Sequence, residues 1–327
     1  MNGGKMRVLV TGCGGYIGTV LTPYLLKKGY SVRCVDWLVF GEDLLEHVVK
    51  EPGFQLIKRD IRDIDSSLFR DIDVVIDLAA ISNDPSGELD PELTLSINYK
   101  ARVRNARLAS ENGVSRYILA SSCSVYGRQT GVVDETAQPN PLTTYARANL
   151  MAEKEILPLT SPRFATVIMR FATAYGASRR MRFDLVVNSM TLSAYTEGKI
   201  YVEGDGMQWR PLVNVIDIAR AIDFMLEQPA DRISGRIFNV GSDDQNYRII
   251  DVAKTVQEIV GGEIVYRGEI DKRSYAVSFS KIRNLGWKPL YKVEDGVKQI
   301  YQELLLGHLK AEERWWTVKW YRRLLGK

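Results

Sequence analysis

Histidine is scarce in this chain. Its 327 residues contain two, His47 and His308. That excludes a His-rich metal site, and no metal is expected. Cysteine is nearly as rare, with only Cys13, Cys34 and Cys123. These lie far apart without metal-ligand spacing, so they read as buried thiols of a reducing cytosol and not as a disulfide framework. No apolar run approaches the about 18 residues that a membrane span needs. Long Lys/Arg runs are missing too. The net charge of +4, from 44 basic and 40 acidic residues, is too mild for a nucleic-acid partner. The N-terminus carries Lys5 and Arg7 but runs straight into a strand and a glycine turn, so a signal peptide is not expected. With 45% hydrophobic and 26% charged residues, the expectation is an ordinary cytoplasmic globular protein.

What is present is a rhythm. Arg7 to Val10 is a short apolar run, followed by glycines and a helical pattern to Lys28. Gly29 ends that helix, and Ser31 to Val35 forms a second run closing on Asp36. Further short runs are Phe54 to Ile57, Asp73 to Leu78, Tyr117 to Ala120 and Thr166 to Met169. Each suits a buried parallel strand. Helical patterns lie between them, notably Pro91 to Asn112 and Tyr145 to Leu157. Alternation at this spacing argues for an α/β protein with a doubly wound parallel sheet. After about residue 176 the rhythm loosens. Helices are expected near Phe183 to Thr196 and Asp217 to Gln228, with Phe238 to Gly241 as a strand returning to the sheet. The expected division is 1–176 for the first domain, 177–309 mainly for a smaller lobe, and 310–327 for a C-terminal helix.

Gly12-x-x-Gly15-x-x-Gly18 follows a strand and opens a helix, with Tyr16 and Ile17 inside it. Glycines there allow a tight turn and a close backbone approach to a pyrophosphate, and the helix N-terminus favours the negative charge. Asp36 ends the next strand, 18 residues beyond Gly18. A carboxylate there accepts from ribose hydroxyls and repels a 2′-phosphate, which points to NAD before NADP. Asp60 and Ile61 follow the third strand, where a carboxylate could meet the adenine amino group. Leu78, Ala79 and Ala80 follow the fourth, and small residues there would let the cofactor lie against the backbone. Both stretches also read as a turn and a packing choice.

These pieces resemble the extended short-chain dehydrogenase/reductase family, in its nucleotide-sugar epimerase and dehydratase branch. The resemblance spans roughly residues 6 to 305. Besides the glycine turn, Asp36, Asp60-Ile61 and Ala79-Ala80, it rests on Asn98, Ser121 to Gly127, Tyr145, Arg170 with Tyr175-Gly176, Gly204-Asp205-Gly206 with Arg210, and Leu285-Gly286-Trp287-x-Pro289. It implies a Rossmann-type fold with a substrate-binding lobe, bound NAD, and a nucleotide-diphosphate sugar as substrate. The implied chemistry passes through a transient keto sugar, most simply 4-epimerisation, with reduction or dehydrogenation of a keto sugar as the alternative. By position, Tyr145 matches the acid/base and Ser122 the residue that hydrogen-bonds the sugar. Cys123, Ser124, Thr173 and Arg182 fall in the substrate region, and Arg210 and Arg273 match the arginines on the diphosphate. The family also implies a homodimer, built through the helices at 91–112 and 145–157.

Departures from the family pattern matter as much. Cys123-Ser124 stands where the 4,6-dehydratases carry Asp-Glu, which argues against water elimination. Thr173 replaces an Asn, and Asn214 a His, so the sugar pocket is expected to differ. Above all, Asn149 replaces the Lys of Tyr-x-x-x-Lys. One helical turn puts residue 149 on the face of Tyr145. A Lys there would lower the phenol's pKa from about 10, whereas Asn offers a ribose hydrogen bond and no charge. Three readings stay open: a change introduced to trap a ligand, a natural variant that works without the Lys, or a chain that binds cofactor without turnover. On the first, restoring Lys would raise turnover.

The last thirteen residues hold Trp315, Trp316 and Trp320, half of the chain's six tryptophans, among Arg314, Lys319, Arg322, Arg323 and Lys327. Trp316, Trp320 and Leu324 share a helical face. Such a helix could lie on an anionic membrane surface. Packing of the rings on their own domain or on a partner subunit is the favoured reading.

Overall fold

A computed structural model describes residues 6–269 and 273–327. Lys5, Asp271 and Lys272 lie outside the described residues. The chain divides into two compact units and passes between them five times. The first comprises Met1–Ser121, Thr143–Met169 and Ile222–Phe238. The second comprises Ser122–Leu142, Arg170–Ala221 and Asn239–Lys327.

The main sheet has seven parallel strands: β1 Arg7–Thr11, β2 Ser31–Asp36, β3 Phe54–Lys58, β4 Val74–Asp77, β5 Arg116–Ser122, β6 Ala165–Phe171 and β7 Arg236–Val240. Their order is β7-β6-β5-β4-β1-β2-β3. β4 and β6 are buried along their whole length, as continuous apolar runs covered on both faces must be. β1 sits between β2 and β4, with Thr11 opposite Val35 on one side and Asp77 on the other. After β3 the chain crosses back over β1 to start β4. The order therefore reverses between β1 and β4, which opens a crevice at their C-terminal ends.

Helix α1, Gly18–Lys28, follows β1 directly and ends at Gly29, whose φ of 92° suits glycine. The expected helix over 91–112 is present but interrupted. Pro91–Leu95 is α-helical, Ser96–Ala101 is a π turn, and α2 spans Arg102–Glu111. A π turn adds a residue to the helical register, and such turns mark functional sites. Here Asn98 turns inward, where its side chain bonds both backbone groups of Ile81. Arg102 is likewise brought wholly inside. Helix α3, Thr144–Ile156, starts at Thr143, whose hydroxyl caps the Ala146 amide.

The second unit is built around its own apolar core. Helices Val186–Glu197, Ile249–Val260 and Val293–Leu305 pack with strands at 199–203 and 209–214, burying Tyr175, Val187, Ile200, Val202, Leu212, Val252 and Val297. The 209–214 strand lies between those at 246–248 and 173–175. Asn214, expected to alter the sugar pocket, is instead fully buried. It caps the next helix by accepting from the Ile216 amide and also bonds Gln299.

The C-terminal residues pack on their own unit. The Phe183 amide donates to the Trp315 carbonyl at 3.0 Å, and the rings of Phe183 and Trp316 lie 5.6 Å apart. Arg180 donates to the Thr317 hydroxyl, which in turn donates to Asp184. Trp315 is 5% exposed. No helix among the described residues is long and apolar enough to cross a membrane. Replacing a buried Trp removes a large apolar contact and leaves a cavity. Trp315→Ala is therefore expected to cost about 3–5 kcal/mol in denaturant unfolding. A loss under about 1 kcal/mol would show the tail to be only loosely attached.

Candidate active site

The turn from Gly12 to Gly18 lies at the crevice between β1 and β4. Gly12 has φ of 74°, and a Cβ on it would come within 2.7 Å of the Ala79 nitrogen. The glycine turn thus lies directly against the Leu78–Ala80 segment, as the small side chains there predict. A Cβ on Gly18 would collide with the Gly12 carbonyl and the Cys13 backbone, so the turn can close onto α1 only with glycine. Asp36 ends β2 beside this turn. One carboxylate oxygen accepts from the Gly14 amide at 2.8 Å and the other from the Leu38 amide at 2.6 Å. These bonds aim the carboxylate at the glycine turn. Tyr16 is buried, while Ile17, Leu78, Ala79 and Ala80 are half-buried.

Asp60 is more committed than the sequence suggests. It caps a short helical turn through the Arg62 amide and forms a 2.6 Å ion pair with the Arg62 guanidinium. Burial works to raise its pKa, but the bonds from Arg62 outweigh that and hold the carboxyl below its ordinary range. The Arg62 guanidinium also lies 5.7 Å from the centre of the exposed Trp37 ring. Ile61 is buried, and its carbonyl accepts from Asn105.

The cysteine expectation needs correction. Cys13 and Cys34 are joined as a disulfide, with 5.9 Å between their Cα atoms, while Cys123 is a buried free thiol. Their separation of 21 residues concealed this. The β1–β2 register explains it: Cys34 lies opposite Val10, and Cys13 follows on the turn just beyond. Alkylation of denatured, unreduced protein should therefore label one cysteine and alkylation after reduction three, as read by mass spectrometry. Three labels without reductant would mean that the pair is a dithiol.

Tyr145 stands in the first turn of α3. Glu88 accepts from the Thr144 amide and hydroxyl, and Thr143 donates to Asp84. Both carboxylates thus hold the positive end of this helix. A Cβ on Gly87 would lie 3.0 Å from the Tyr145 Cβ, so glycine lets the 84–87 turn fit against the tyrosine.

Asn149 is 1% exposed, and both ends of its amide are engaged. Its nitrogen donates to the Tyr145 carbonyl at 3.1 Å, and its oxygen accepts from Arg102 Nη1 at 3.0 Å. Arg102 is fully buried, and Asp77 is 1% exposed. Arg102 Nε donates to Asp77 Oδ2 at 3.2 Å, while Nη2 donates to the carbonyls of Asp77 at 3.0 Å and Ala120 at 2.6 Å. Four of the guanidinium's five N–H bonds are thereby used. Asp77 also accepts from the Thr11 hydroxyl at 2.7 Å and the Tyr117 hydroxyl at 2.5 Å. Burial, and then the Asp77 charge, raise Tyr117 well above the ordinary phenol range, so it donates as a neutral phenol. Thr11 Oγ1 in turn accepts from the Ala79 amide.

Sequence motifs missed this network. The available signal was polar side chains at apolar-face spacing. Asn98, Arg102 and Asn105 sit where a buried helical stripe expects apolar residues, and all three are buried.

The second unit carries the other predicted residues. Ser122 Oγ accepts from the Ser124 amide at 3.1 Å, which leaves its proton to donate. The Ser124 hydroxyl is buried with no hydrogen-bond partner among the described residues. Cys123 donates to the Arg170 carbonyl, and Arg170 donates to the Tyr126 hydroxyl. Thr173 is half-buried on the 173–175 strand. Arg210 is brought to Arg273, donating to its carbonyl, and lies 5.5 Å from the centre of the Tyr275 ring. Arg182 forks onto Asp184. Burial would raise the Asp184 pKa, but Arg182 and Arg180 overcome it and hold the carboxyl below its usual range.

A glycine turn at a sheet's switch point, with a carboxylate ending the next strand, defines a dinucleotide-binding class of protein. Comparison with known proteins narrows this. The model of the NAD dependent epimerase/dehydratase family matches residues 8–241, and the chain belongs to that family. It is 29% identical over 269 residues to an uncharacterized UDP-glucose epimerase, YtcB, of Bacillus subtilis, covering 78% of this chain and 83% of that one. It is 25% identical over 315 residues to UDP-glucuronic acid decarboxylase 1 of Xenopus tropicalis, covering 90% and 71%. Among solved structures, UDP-glucuronic acid 4-epimerase from Bacillus cereus, in complex with UDP-glucuronic acid and NAD, superposes with a TM-score of 0.83. The two are 26% identical, and the match covers 92% of this chain and 99% of that one.

The glycine turn fits the cofactor of this family, because Gly12 and Gly18 leave no room for side chains. Gly12→Ala forces a side chain into the Ala79 backbone at a positive φ. It should abolish NAD binding in calorimetry, and unchanged affinity would place the cofactor elsewhere.

Proposed function

We propose that this protein is an NAD-dependent enzyme acting on a UDP-sugar through a transient keto intermediate, with 4-epimerisation as the reaction. The observation that carries the reading is Tyr145, fixed in the first turn of α3 in the same unit as the glycine turn and Asp36. Asp36 is assigned to the adenosine ribose, Gly12, Gly15 and Gly18 to the pyrophosphate, and Leu78 to Ala80 to the cofactor's flank. Asp60 reaches the adenine only if its pair with Arg62 opens. When bound, NAD supplies reversible hydride acceptance at the sugar carbon. Tyr145 takes the proton of the sugar hydroxyl and returns it once the carbonyl has presented its other face. Ser122 donates to a sugar oxygen, and the buried Ser124 hydroxyl and Thr173 offer further polar contacts. Arg210 and Arg273 are assigned to the diphosphate, where guanidinium suits phosphate oxygens. Arg182, committed to Asp184, contributes by shaping the second unit. Cys123 and Ser124 supply no carboxylate, which weighs against 4,6-dehydration.

The test is to incubate the protein with UDP-glucose and UDP-glucuronic acid and to follow C4 inversion by NMR. Inversion of either sugar is expected, with no net change in NADH absorbance. Tyr145→Phe should lower kcat by about 10²–10⁴-fold, the usual worth of a positioned acid/base. Stoichiometric NADH change would assign a reductase instead, and loss of the carboxyl group a decarboxylase. NAD binding with no conversion of either sugar would overturn the proposal.

A further inference from the structure

The missing lysine has a counterpart one helix away. We propose that Arg102 is a positioning residue for Tyr145, and that Arg102 with Asn149 does together what a lysine at position 149 would do alone. The inference rests on the reading of Tyr145 as the acid/base.

Three observations carry it. First, Arg102 is a fully buried cation joined directly to Asn149, which bonds back to the Tyr145 carbonyl. The path from the guanidinium to the backbone of the tyrosine is two hydrogen bonds long. Second, the same guanidinium grips the ends of β4 and β5 through the Asp77 and Ala120 carbonyls. Asp77 continues the chain to Thr11, at the base of the glycine turn, and Thr11 to the Ala79 amide. The tyrosine's helix and the cofactor's turn are therefore set by one connected group of side chains. Third, the guanidinium already has its counter-charge. Arg102 is paired with Asp77, and Tyr117 and Asn149 are neutral. Glu153, one turn beyond Asn149 on α3, is a second buried carboxylate beside the group and accepts from Ser121.

A neutral residue at 149 is then a requirement of the network. A lysine introduced there would bring a second cation against the guanidinium and remove the acceptor that Arg102 Nη1 now uses, even with the buried Glu153 four residues further along α3. This reverses the expectation that restoring the lysine raises turnover. Relocating the cation is a different matter. Removing Arg102 at the same time would restore the charge balance.

The experiment uses the full-length protein in four forms: parent, Asn149→Lys, Arg102→Met, and the double variant. Thermal unfolding and NAD affinity by calorimetry are measured for each, because neither needs sugar turnover. Asn149→Lys is expected to lower the melting temperature and weaken NAD at least tenfold. The double variant should recover most of both losses. Where UDP-glucuronic acid or UDP-glucose is converted by the parent, Arg102→Met should lower kcat about 100-fold and leave KM within a few-fold, because it disturbs the acid/base and not the sugar contacts. Unchanged stability and NAD affinity in Asn149→Lys would overturn the proposal. So would a double variant no better than Asn149→Lys, or an Arg102→Met form that loses stability but keeps kcat. If the parent converts neither sugar, the functional reading fails, and the charge-relocation result still decides the network.

Discussion

The buried ion pair between Arg102 and Asp77 constrains everything around it. Taking two charges out of water costs several kcal/mol per ion even after relaxation, and only close geometry with every remaining proton satisfied offsets it. Here the geometry is close. The guanidinium spends one hydrogen bond on the carboxylate, two on strand-end carbonyls and one on Asn149. Those carbonyls belong to β4 and β5, beside the switch point where the sheet order reverses. The pair therefore fixes the part of the sheet whose geometry a cofactor would read, and removing one partner would strand a charge at a cost of about 3–5 kcal/mol.

That constraint changes how Asn149 is understood. A substitution made in isolation would leave a lone amide in a space shaped for a longer cation. Asn149 instead fills a position where both ends of its amide are used and almost none of its surface meets solvent. Its oxygen is the acceptor that the fourth guanidinium bond requires, and its nitrogen satisfies the Tyr145 carbonyl. The amide is suited to the position because it offers an acceptor on one end and a donor on the other, without charge. In the proposed arrangement the cation is supplied by α2.

Much of the fold was legible because parallel strands buried on both faces must be continuous apolar runs. β1 to β6 fall within a residue or two of the runs read from the sequence, and Phe238 to Val240 does return to the sheet. The glycine turn and Asp36 were legible for another reason: steric closeness to Ala79 admits only glycine, and a carboxylate at a strand end has few roles. The features that stayed hidden depend on register. The disulfide of Cys13 with Cys34 reflects which residue of β2 faces β1. Asn214 looked like a pocket residue by position, yet it caps a helix, because a short polar side chain ahead of a helix finds the free amides first. Arg182 was placed in the substrate region by position, and Asp184 two residues on takes its guanidinium.

The deepest omission was Arg102. Its spacing from Asn98 and to Asn105 is that of a buried helical stripe, but an arginine is ordinarily assigned to solvent, because a charged side chain is almost never fully buried unless paired. Its partner Asp77 lies on another element, 25 residues away in sequence. Asn98 turns to the Ile81 backbone, and four residues later the arginine points to the strand ends. A motif search compares residue 149 with the lysine it expects and reports a loss. The physical requirement is less specific: a cation must be held near the helix that bears the tyrosine, with its counter-charge close by. That requirement names no position, and a neighbouring helix can meet it. The absence of a catalytic lysine is thus weak grounds for inferring inactivity until the buried charges around its usual position have been accounted for.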